Sequence, residues 1–206
     1  MKNRILEIAV EQFSRYGIRT VTMEDIARLA GISKKTIYQE FKDKKELVNA
    51  SFSSLLEADR ERLQGILDTN DGVIEHLVLA SQVIRDRMSN LNPMAVLEVQ
   101  KYFPETWKIF ECYREDVILP DLVHVLEKGK QLGYFRPEIN SVLMATMRVS
   151  QITLALDPAN SPKEGVSLLE MQISVMDHFL HGIFTEKGRE AYQKIDPFEK
   201  IQSNKK

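Results

Sequence analysis

The chain has 206 residues, of which 43% are hydrophobic and 28% charged, and its formal net charge is -2. Length and apolar content are sufficient for one large or two small domains with a packed core. No apolar run approaches the roughly 18 residues that a membrane-spanning helix needs, and the amphipathic N-terminus lacks the apolar block of a signal peptide. We therefore expect a soluble, cytoplasmic protein.

The charge is divided unevenly along the chain. Residues 1–50 carry ten Lys or Arg against seven Asp or Glu, a net charge of +3, whereas residues 51–206 have a net charge of -5. A basic N-terminal region on an acidic remainder favours a polyanionic partner for the N-terminal region alone. The difference is small, so it needs the support of a motif.

Two helices are predicted in the first 30 residues. The first is defined by apolar residues at helical spacing, namely Ile5, Leu6, Ala9, Val10 and Phe13. Gly17 stands where a left-handed cap would end this helix. Thr22, with Asp25 three residues later, forms a capping box that starts a second helix over about residues 23–30. Gly31 closes the second helix.

A third short helix begins directly after this glycine, with Ser33 as its N-terminal cap. Two short helices joined by such a tight turn form a helix-turn-helix, whose second helix can lie in the major groove of DNA. Ile37 and Phe41 define the inward side of the third helix. The opposite arc, expected to face the groove, contains Lys35, Thr36 and Gln39.

Further side chains around the third helix are placed to contact phosphates. Lys34 and Tyr38 fall at the boundary between its two faces, from which both can reach sideways to phosphate oxygens. Asp43 and Glu46 form a capping box for a fourth helix, over about residues 43–66. Lys44 and Lys45 therefore stand on a helix N-terminus, a favourable place for a phosphate.

The whole segment fits one extended pattern, T-x-x-x-I-A-x-x-A-G-I-S-x-x-T-I-Y-x-x-F-x-x-K-x-x-L, from Thr22 to Leu47. This pattern resembles the DNA-binding segment of TetR-type transcriptional regulators. The resemblance implies an all-α fold with a three-helix DNA-binding head, residues 1–47, and a larger helical body for ligand binding and dimerisation, residues 48–206. It also implies a homodimer that represses transcription until a small molecule binds the body.

The body is predicted to be a series of helices separated by proline and glycine. A loop at residues 69–72 precedes a helix over 73–88, and Asn92-Pro93 opens another. Pro104 and Pro120 should interrupt the helical segments after residue 93. The last two long helices are predicted over about 141–156 and 163–184, with a polar tail after them that forms a short helix with frayed ends.

Those two long helices have apolar residues on two faces. One face steps by 3 and 4 residues and gives the predicted dimer interface, formed by Val149, Ile152, Leu169, Ile173, Met176 and Leu180. A second apolar set would stay exposed if only one face were buried, for example Leu143, Met147 and Leu154. A four-helix bundle made by two copies would cover both faces, in agreement with the resemblance. The alternative is that both faces are buried within one protomer.

Flexible and flat apolar residues are concentrated between residues 84 and 127. They indicate an apolar cavity, with Met88, Phe103, Trp107, Phe110 and Tyr113 as the candidate ligand-binding residues. Each of these positions, taken alone, is equally compatible with an ordinary core. The resemblance favours a cavity, because it implies a pocket among the middle helices of the body for a small apolar or aromatic effector.

Other functional classes have little support. There is no P-loop, GxGxxG, GxSxG or HExxH motif, so we expect neither an enzyme nor a cofactor. His178 and His181 lack further ligands at a convincing spacing for a metal. The single cysteine, Cys112, is expected to be a buried, inert thiol. The remaining alternative, a helical adaptor that binds protein and not DNA, would leave the lysines and tyrosine of the third helix unexplained.

Overall fold

The computed structural model describes residues 1–69, 72–89, 91–156 and 167–195. These residues form eleven α-helices and no strand, which confirms the predicted all-α fold. The helices are α1 (Lys2–Tyr16), α2 (Met23–Ala30), α3 (Lys34–Glu40), α4 (Lys44–Thr69), α5 (Val73–Ser89), α6 (Pro93–Tyr102), α7 (Pro104–Tyr113), α8 (Leu119–Gln131), α9 (Ser141–Leu156), α10 (Leu168–Ile183) and α11 (Glu186–Ile195). No helix in this part of the chain is long and apolar enough to cross a membrane.

The head has its own hydrophobic core, formed by α1, α2, α3 and the first turns of α4. Ile5, Ile26, Ile37 and Leu47 are completely buried there, and Phe41 is 1% exposed. α2 and α3, with 8 and 7 residues, are too short to be stable alone, so the head depends on packing against α1 and α4. α4 has 26 residues and runs without a break past residue 47, where the sequence predicts the boundary between head and body.

Gly17 ends α1, but not in the predicted left-handed helical conformation. Its φ of 85° is positive, as expected, whereas its ψ of 151° turns the chain into an extended direction. A Cβ at this position would lie 3.2 Å from an Oε2 atom of Glu98, which belongs to α6 of the body. A glycine is therefore favoured here for two reasons: it tolerates the positive φ of the turn, and its lack of a Cβ lets α6 approach the head closely.

A second core lies in the body, where α5, α8, α9 and α10 pack together. Leu126, Phe135 and Ala145 are completely buried in it, and Tyr192 of α11 is 5% exposed. The polar tail does begin with a short helix, but this helix contributes an aromatic side chain to the core. Residues 196–206 lie outside the described residues.

Pro93 and Pro104 mark breaks between helices as expected, whereas Pro120 lies within a continuous helical run over residues 104–131. Pro93 and Pro104 stand in the first turns of α6 and α7. Before Pro120, the chain forms a π-helical turn over Arg114–Ile118, which joins α7 to α8. The start predicted for the last long helix, residues 163–166, lies outside the described residues; α10 begins at Leu168, after a capping box formed by Ser167 and Glu170.

Candidate nucleic-acid interface and effector cavity

The helix-turn-helix is held by the capping residues predicted from the sequence. The Thr22 hydroxyl accepts a hydrogen bond from the Asp25 amide at 3.1 Å, and an Asp25 carboxylate oxygen accepts from the Thr22 amide at 3.0 Å. Gly31 adopts a left-handed conformation with φ 69° and ψ 31°. The Ser33 hydroxyl accepts from the Thr36 amide at 3.1 Å. These bonds satisfy helix-end amides and fix the angle between α2 and α3.

α3 buries one face and exposes the other. Ile37 is fully buried, whereas Lys35, Tyr38 and Gln39 are exposed. Thr36 is half-buried and its hydroxyl lies 2.8 Å from that of Ser33. The side chains free to contact a groove are therefore Lys35, Tyr38 and Gln39, while Thr36, Ser33 and Thr22 take part in capping.

Three of the predicted phosphate-binding lysines contact other parts of the protein. Lys34 is paired with Glu24 of α2, and the hydrogen bond to this carboxylate raises the pKa of Lys34. Lys44 is half-buried and its Nζ donates to the Arg19 carbonyl at 3.3 Å, while partial burial lowers the pKa of Lys44. Lys45 Nζ lies 3.0 Å from Glu105 Oε2 of α7. Reaching a phosphate requires the exposed pairs of Lys34 and Lys45 to exchange partners, which costs little at a surface.

The head is joined to the body by a set of polar contacts from α6 and α7. The Oε2 atom of Glu98 in α6 accepts a hydrogen bond from the Arg19 amide at 3.0 Å. The hydroxyl of Thr106 in α7, a fully buried residue, donates a hydrogen bond to the Asn49 side chain of α4. The Lys45–Glu105 pair adds a third contact beside them. α7 therefore contacts the N-terminal half of α4.

A cavity of about 220 Å³, called the main cavity below because its walls are mostly apolar, lies inside the body between α4, α5, α7, α8, α9 and α10. A larger cleft of about 570 Å³ lies between α1, α4 and α5, and charged side chains such as Glu7, Glu11 and Arg15 line it. The apolar walls of the main cavity include Phe110, Ile118 and Phe179. His76, Tyr113 and Arg148 also line the main cavity, and each has a buried polar atom without a hydrogen-bond partner in the described ranges of the chain. Burial lowers the pKa of His76 to about 4 and raises the pKa of Tyr113 to about 12, so both groups are neutral at pH 7.

A second cavity of about 190 Å³ lies nearer the head, with Phe13, Ile18 and Trp107 in its walls. Both cavities share the side chains of Leu56, Asp59, Arg87 and Phe110. Arg87 and Asp59 form a bidentate ion pair there, with Nη2 2.6 Å and Nε 3.1 Å from Oδ1. This ion pair lies where the main cavity and the second cavity adjoin, since both of its residues line both cavities.

The predicted ligand-binding residues are therefore only partly brought together. Phe110 and Tyr113 line the main cavity, and Trp107 lines the second one. Phe103 lines neither of these two cavities and packs against the core of the head. The side chain of Met88 lies outside the described residues. Sequence reasoning missed His76 and Arg148, although each interrupts an apolar helical face and could have been noticed for that reason.

The predicted dimer interface must also be corrected. Val149, Met176 and Leu180 are 7%, 6% and 2% exposed, since they pack inside the protomer, and they offer no surface to a partner. Ile152, Leu169 and Ile173 are half-buried. The apolar side chains that α9 exposes belong mainly to its other face, and they are Val142, Leu143, Met147 and Leu154.

Two smaller expectations concern metal ions and the thiol. Among the described residues, no group of three or more His, Cys, Asp or Glu side chains is arranged to hold a metal, and His181 instead lies 3.5 Å from an Asp177 oxygen. The expectation of a buried thiol was wrong. Cys112 is free and exposed on the outer side of α7.

Comparison with known proteins assigns the family. The model of bacterial regulatory proteins of the tetR family matches residues 5–51, the segment that contains the helix-turn-helix. The HTH-type transcriptional regulator YhgD of Bacillus subtilis is 31% identical over 140 residues, which cover 67% of this chain and 66% of that relative. The chain belongs to the TetR family. Its relatives are named as transcriptional regulators, which act by binding DNA and not by catalysis.

Other TetR-family proteins extend the similarity to the body. The HTH-type transcriptional repressor KstR2 of Mycobacterium tuberculosis is 26% identical over 142 residues, 68% of this chain and 71% of KstR2. The structure of that protein, a ketosteroid transcriptional regulator, covers 90% of this chain with a TM-score of 0.56 at 22% identity. A transcriptional regulator from Saccharomonospora viridis in complex with choline covers 90% with a TM-score of 0.70 at 21% identity. At such identities the two structures establish the shared fold alone.

Proposed function

We propose that this TetR-family regulator is a cytoplasmic repressor that binds a palindromic operator as a homodimer and is released by a small molecule in the main cavity. In this proposal residues 1–47 bind DNA, and residues 48–206 bind the ligand and the second protomer. The observation that carries it is the direct contact of α7 with both the cavity and the first turns of α4. The adaptor alternative has no support from the named relatives.

DNA binding is assigned to the exposed face of α3. Lys35 and Gln39 project from it at the groove-facing positions, and Tyr38 lies beside them with 44% of its surface exposed. A glutamine can make a bidentate contact to adenine, whereas lysines attract the phosphates whatever the sequence. Lys44 and Lys45 are assigned to phosphates beside the N-terminus of α4.

Dimerisation is assigned to the exposed apolar side of α9 together with the adjoining face of α10. Val142, Leu143, Met147 and Leu154 are each about half exposed or more, with 46% the lowest value. Contiguous apolar side chains of this kind are a common sign of a protein interface. A two-fold dimer would carry two α3 helices, which enter successive major grooves when they stand roughly 34 to 36 Å apart. The operator is then a palindrome with matching spacing.

The release mechanism depends on the position of α7. Its C-terminal half presents Phe110 and Tyr113 to the main cavity, while Glu105 and Thr106 at its N-terminal half contact α4. A ligand that shifts α7 also moves the first turns of α4, and with them the spacing of the two heads. Because binding free energies are reciprocal, operator DNA must weaken ligand binding by the same factor.

A salt-titrated DNA-binding assay tests the placement of the reading face. Lys35→Ala should make the slope of log affinity against log salt concentration shallower by about 1 if Lys35 contacts a phosphate, and should leave the slope unchanged if it contacts a base. Gln39→Ala should relax the preference at one base pair. Lys108→Ala, an exposed lysine on α7, is the matched control and should change neither quantity. This placement would be contradicted if the wild-type protein bound all DNA sequences with equal affinity. It would also be contradicted if Gln39→Ala lowered the affinity for every sequence by the same factor.

Sizing experiments test the dimer. Leu143→Glu combined with Met147→Glu should give monomers, because two carboxylates would be buried without partners in the interface. Leu132→Glu is the matched control, since Leu132 is 40% exposed but lies outside α9. Monomeric wild-type protein at micromolar concentration, or a double variant that remains dimeric, would rule out this interface.

A further inference from the structure

The main cavity contains a buried positive charge. Arg148 of α9 is only 4% exposed, and its Nη1 atom has no hydrogen-bond partner among the residues that the structure describes. It forms no ion pair with any carboxylate in the described part of the chain. Burial alone lowers the pKa of Arg148 to about 10, so the guanidinium is still charged at pH 7. An uncompensated charge in an apolar interior is strongly unfavourable, which makes this residue unlike an ordinary core residue.

Two carboxylates line the cavity, Asp59 and Asp121, and neither neutralises this arginine, since Asp59 is paired with Arg87. Asp121 also lines the cavity, but the charges that act on it are those of Arg60 and His124. Partial burial raises the pKa of Asp121, the opposite of the effect that a nearby guanidinium would have. The charge of Arg148 is therefore available to a ligand.

Two neutral polar groups line the same cavity. His76 of α5 is 6% exposed, and neither its Nδ1 nor the buried Tyr113 hydroxyl of α7 has a hydrogen-bond partner among the described residues. Most of the remaining wall is apolar, with Leu77, Val117 and Leu122 as examples, and its other charged side chains are Asp59, Arg60, Arg87, Arg114 and Asp121. Arg87 is paired with Asp59 and Arg114 with Glu115, while Arg60 is a cation that acts on Asp121. Arg148 is therefore the cation that remains for a ligand, and a mostly apolar site with this cation, a hydroxyl and an imidazole is complementary to an anion that carries an apolar group.

We propose that the ligand of the main cavity is a small monocarboxylate with an apolar body, and that its carboxylate binds the Arg148 guanidinium. The inference rests on the proposed function, because it names the chemical class of the effector for the same cavity. The Tyr113 hydroxyl donates a second hydrogen bond to the carboxylate. The volume of about 220 Å³ equals that of about seven water molecules, which suits a body of one aromatic ring or a medium-length acyl chain.

The ligand-free protein gives the first test. If Arg148 is an unpaired buried charge, Arg148→Met should raise the midpoint of thermal unfolding of the ligand-free protein, because an apolar side chain of similar length replaces it. Arg148→Gln, which removes the charge and stays polar, is the second variant. A lower midpoint in both variants would show that Arg148 already has a structural partner, and would overturn the proposal.

Binding of matched probes gives the second test. Octanoate and 4-phenylbutyrate are titrated by calorimetry into the full-length protein, in parallel with octanol, 4-phenylbutanol and the cation choline. At least one acid should bind about 10- to 100-fold more tightly than its alcohol, the value of a charge-assisted hydrogen bond, and this preference should disappear in Arg148→Met. Equal binding of acid and alcohol, tighter binding of choline, or an acid preference that survives in Arg148→Met would each overturn the proposal.

Operator release separates this inference from the proposed function. An acid that binds through Arg148 without changing operator affinity would leave the carboxylate site intact and refute the release mechanism. A neutral molecule that releases the operator, while none of the acids binds, would leave the release mechanism intact and refute the carboxylate site.

Discussion

The head and the body of this protein differ in how completely side chains fill their interiors. In the head, Ile5, Ile26 and Ile37 are completely buried in a continuous core, and the helix ends are closed by side-chain caps. In the body, the main cavity remains between the helices, a second cavity lies at its junction with the head, and buried polar atoms of His76 and Arg148 have no partner in the described part of the chain. The interior of the head is thus filled by its own side chains, whereas the body retains space that the proposed ligand would fill.

The largest expected difference between the two regions concerns a buried phenylalanine in each. Phe41→Ala should destabilise the protein by about 3–5 kcal/mol, because this ring is 1% exposed and the head cannot collapse around the gap. Phe110→Ala should cost only about 1–2 kcal/mol, since its half-buried ring already borders empty space. Chemical denaturation of both variants measures the two values. Equal losses would contradict the difference in packing between head and body.

The next effect is a pH dependence that the body confers through His76. The pKa of this side chain is lowered from 6.5 to about 4 in the folded protein, so between these values the unfolded chain binds the additional proton. Stability contributed by neutral His76 is therefore complete above pH 6.5 and is lost as the pH falls towards 4, by about 2–3 kcal/mol in total.

Denaturation of the wild type and of His76→Gln at pH 7.5 and pH 4.5 isolates this contribution. The variant should lose less stability than the wild type between the two pH values, since carboxylates titrate alike in both proteins. An equal loss of stability in both proteins would show that His76 becomes protonated in the folded protein as readily as in the unfolded chain, so that its pKa is not lowered.

The smallest effect concerns the caps of the head. Thr22→Ala removes the capping oxygen of α2 and should destabilise the head by about 1 kcal/mol, while Thr22→Ser should retain most of that stability. Thr20→Ala, at an exposed position just before the cap, is the control. Thermal unfolding measures all three. A cap variant indistinguishable from the control would mean that packing alone fixes the angle between α2 and α3.

The head could be predicted from the sequence because its signals are local. Thr22 and Asp25 are three residues apart, Gly31 needs only its own conformation, and Ser33 acts within one turn. Such short-range chemistry is visible in the order of the residues. The all-α fold and the interruptions by proline depend on similar local rules.

The cavity and the dimer surface depend on distant residues, so the sequence was a poorer guide. His76, Tyr113 and Arg148 meet only after three helices have packed, and no spacing between them indicates this. α9 is apolar on both sides, and periodicity cannot distinguish the side that packs inside from the side that remains outside. Periodicity therefore predicts Val149 in the dimer interface, although this side chain is only 7% exposed. Leu143, on the other side of α9, is 53% exposed.

The exposed thiol of Cys112 makes this protein convenient for spectroscopy. It is the single cysteine of the sequence, and it lies on α7 between Phe110 and Tyr113, which line the cavity. The π-helical turn at Arg114–Ile118 begins two residues later. A maleimide dye or a nitroxide would therefore attach at one defined place without any prior cysteine replacement. In a dimer, two such labels would report the separation of the two α7 helices directly, with operator DNA, with ligand, and with neither.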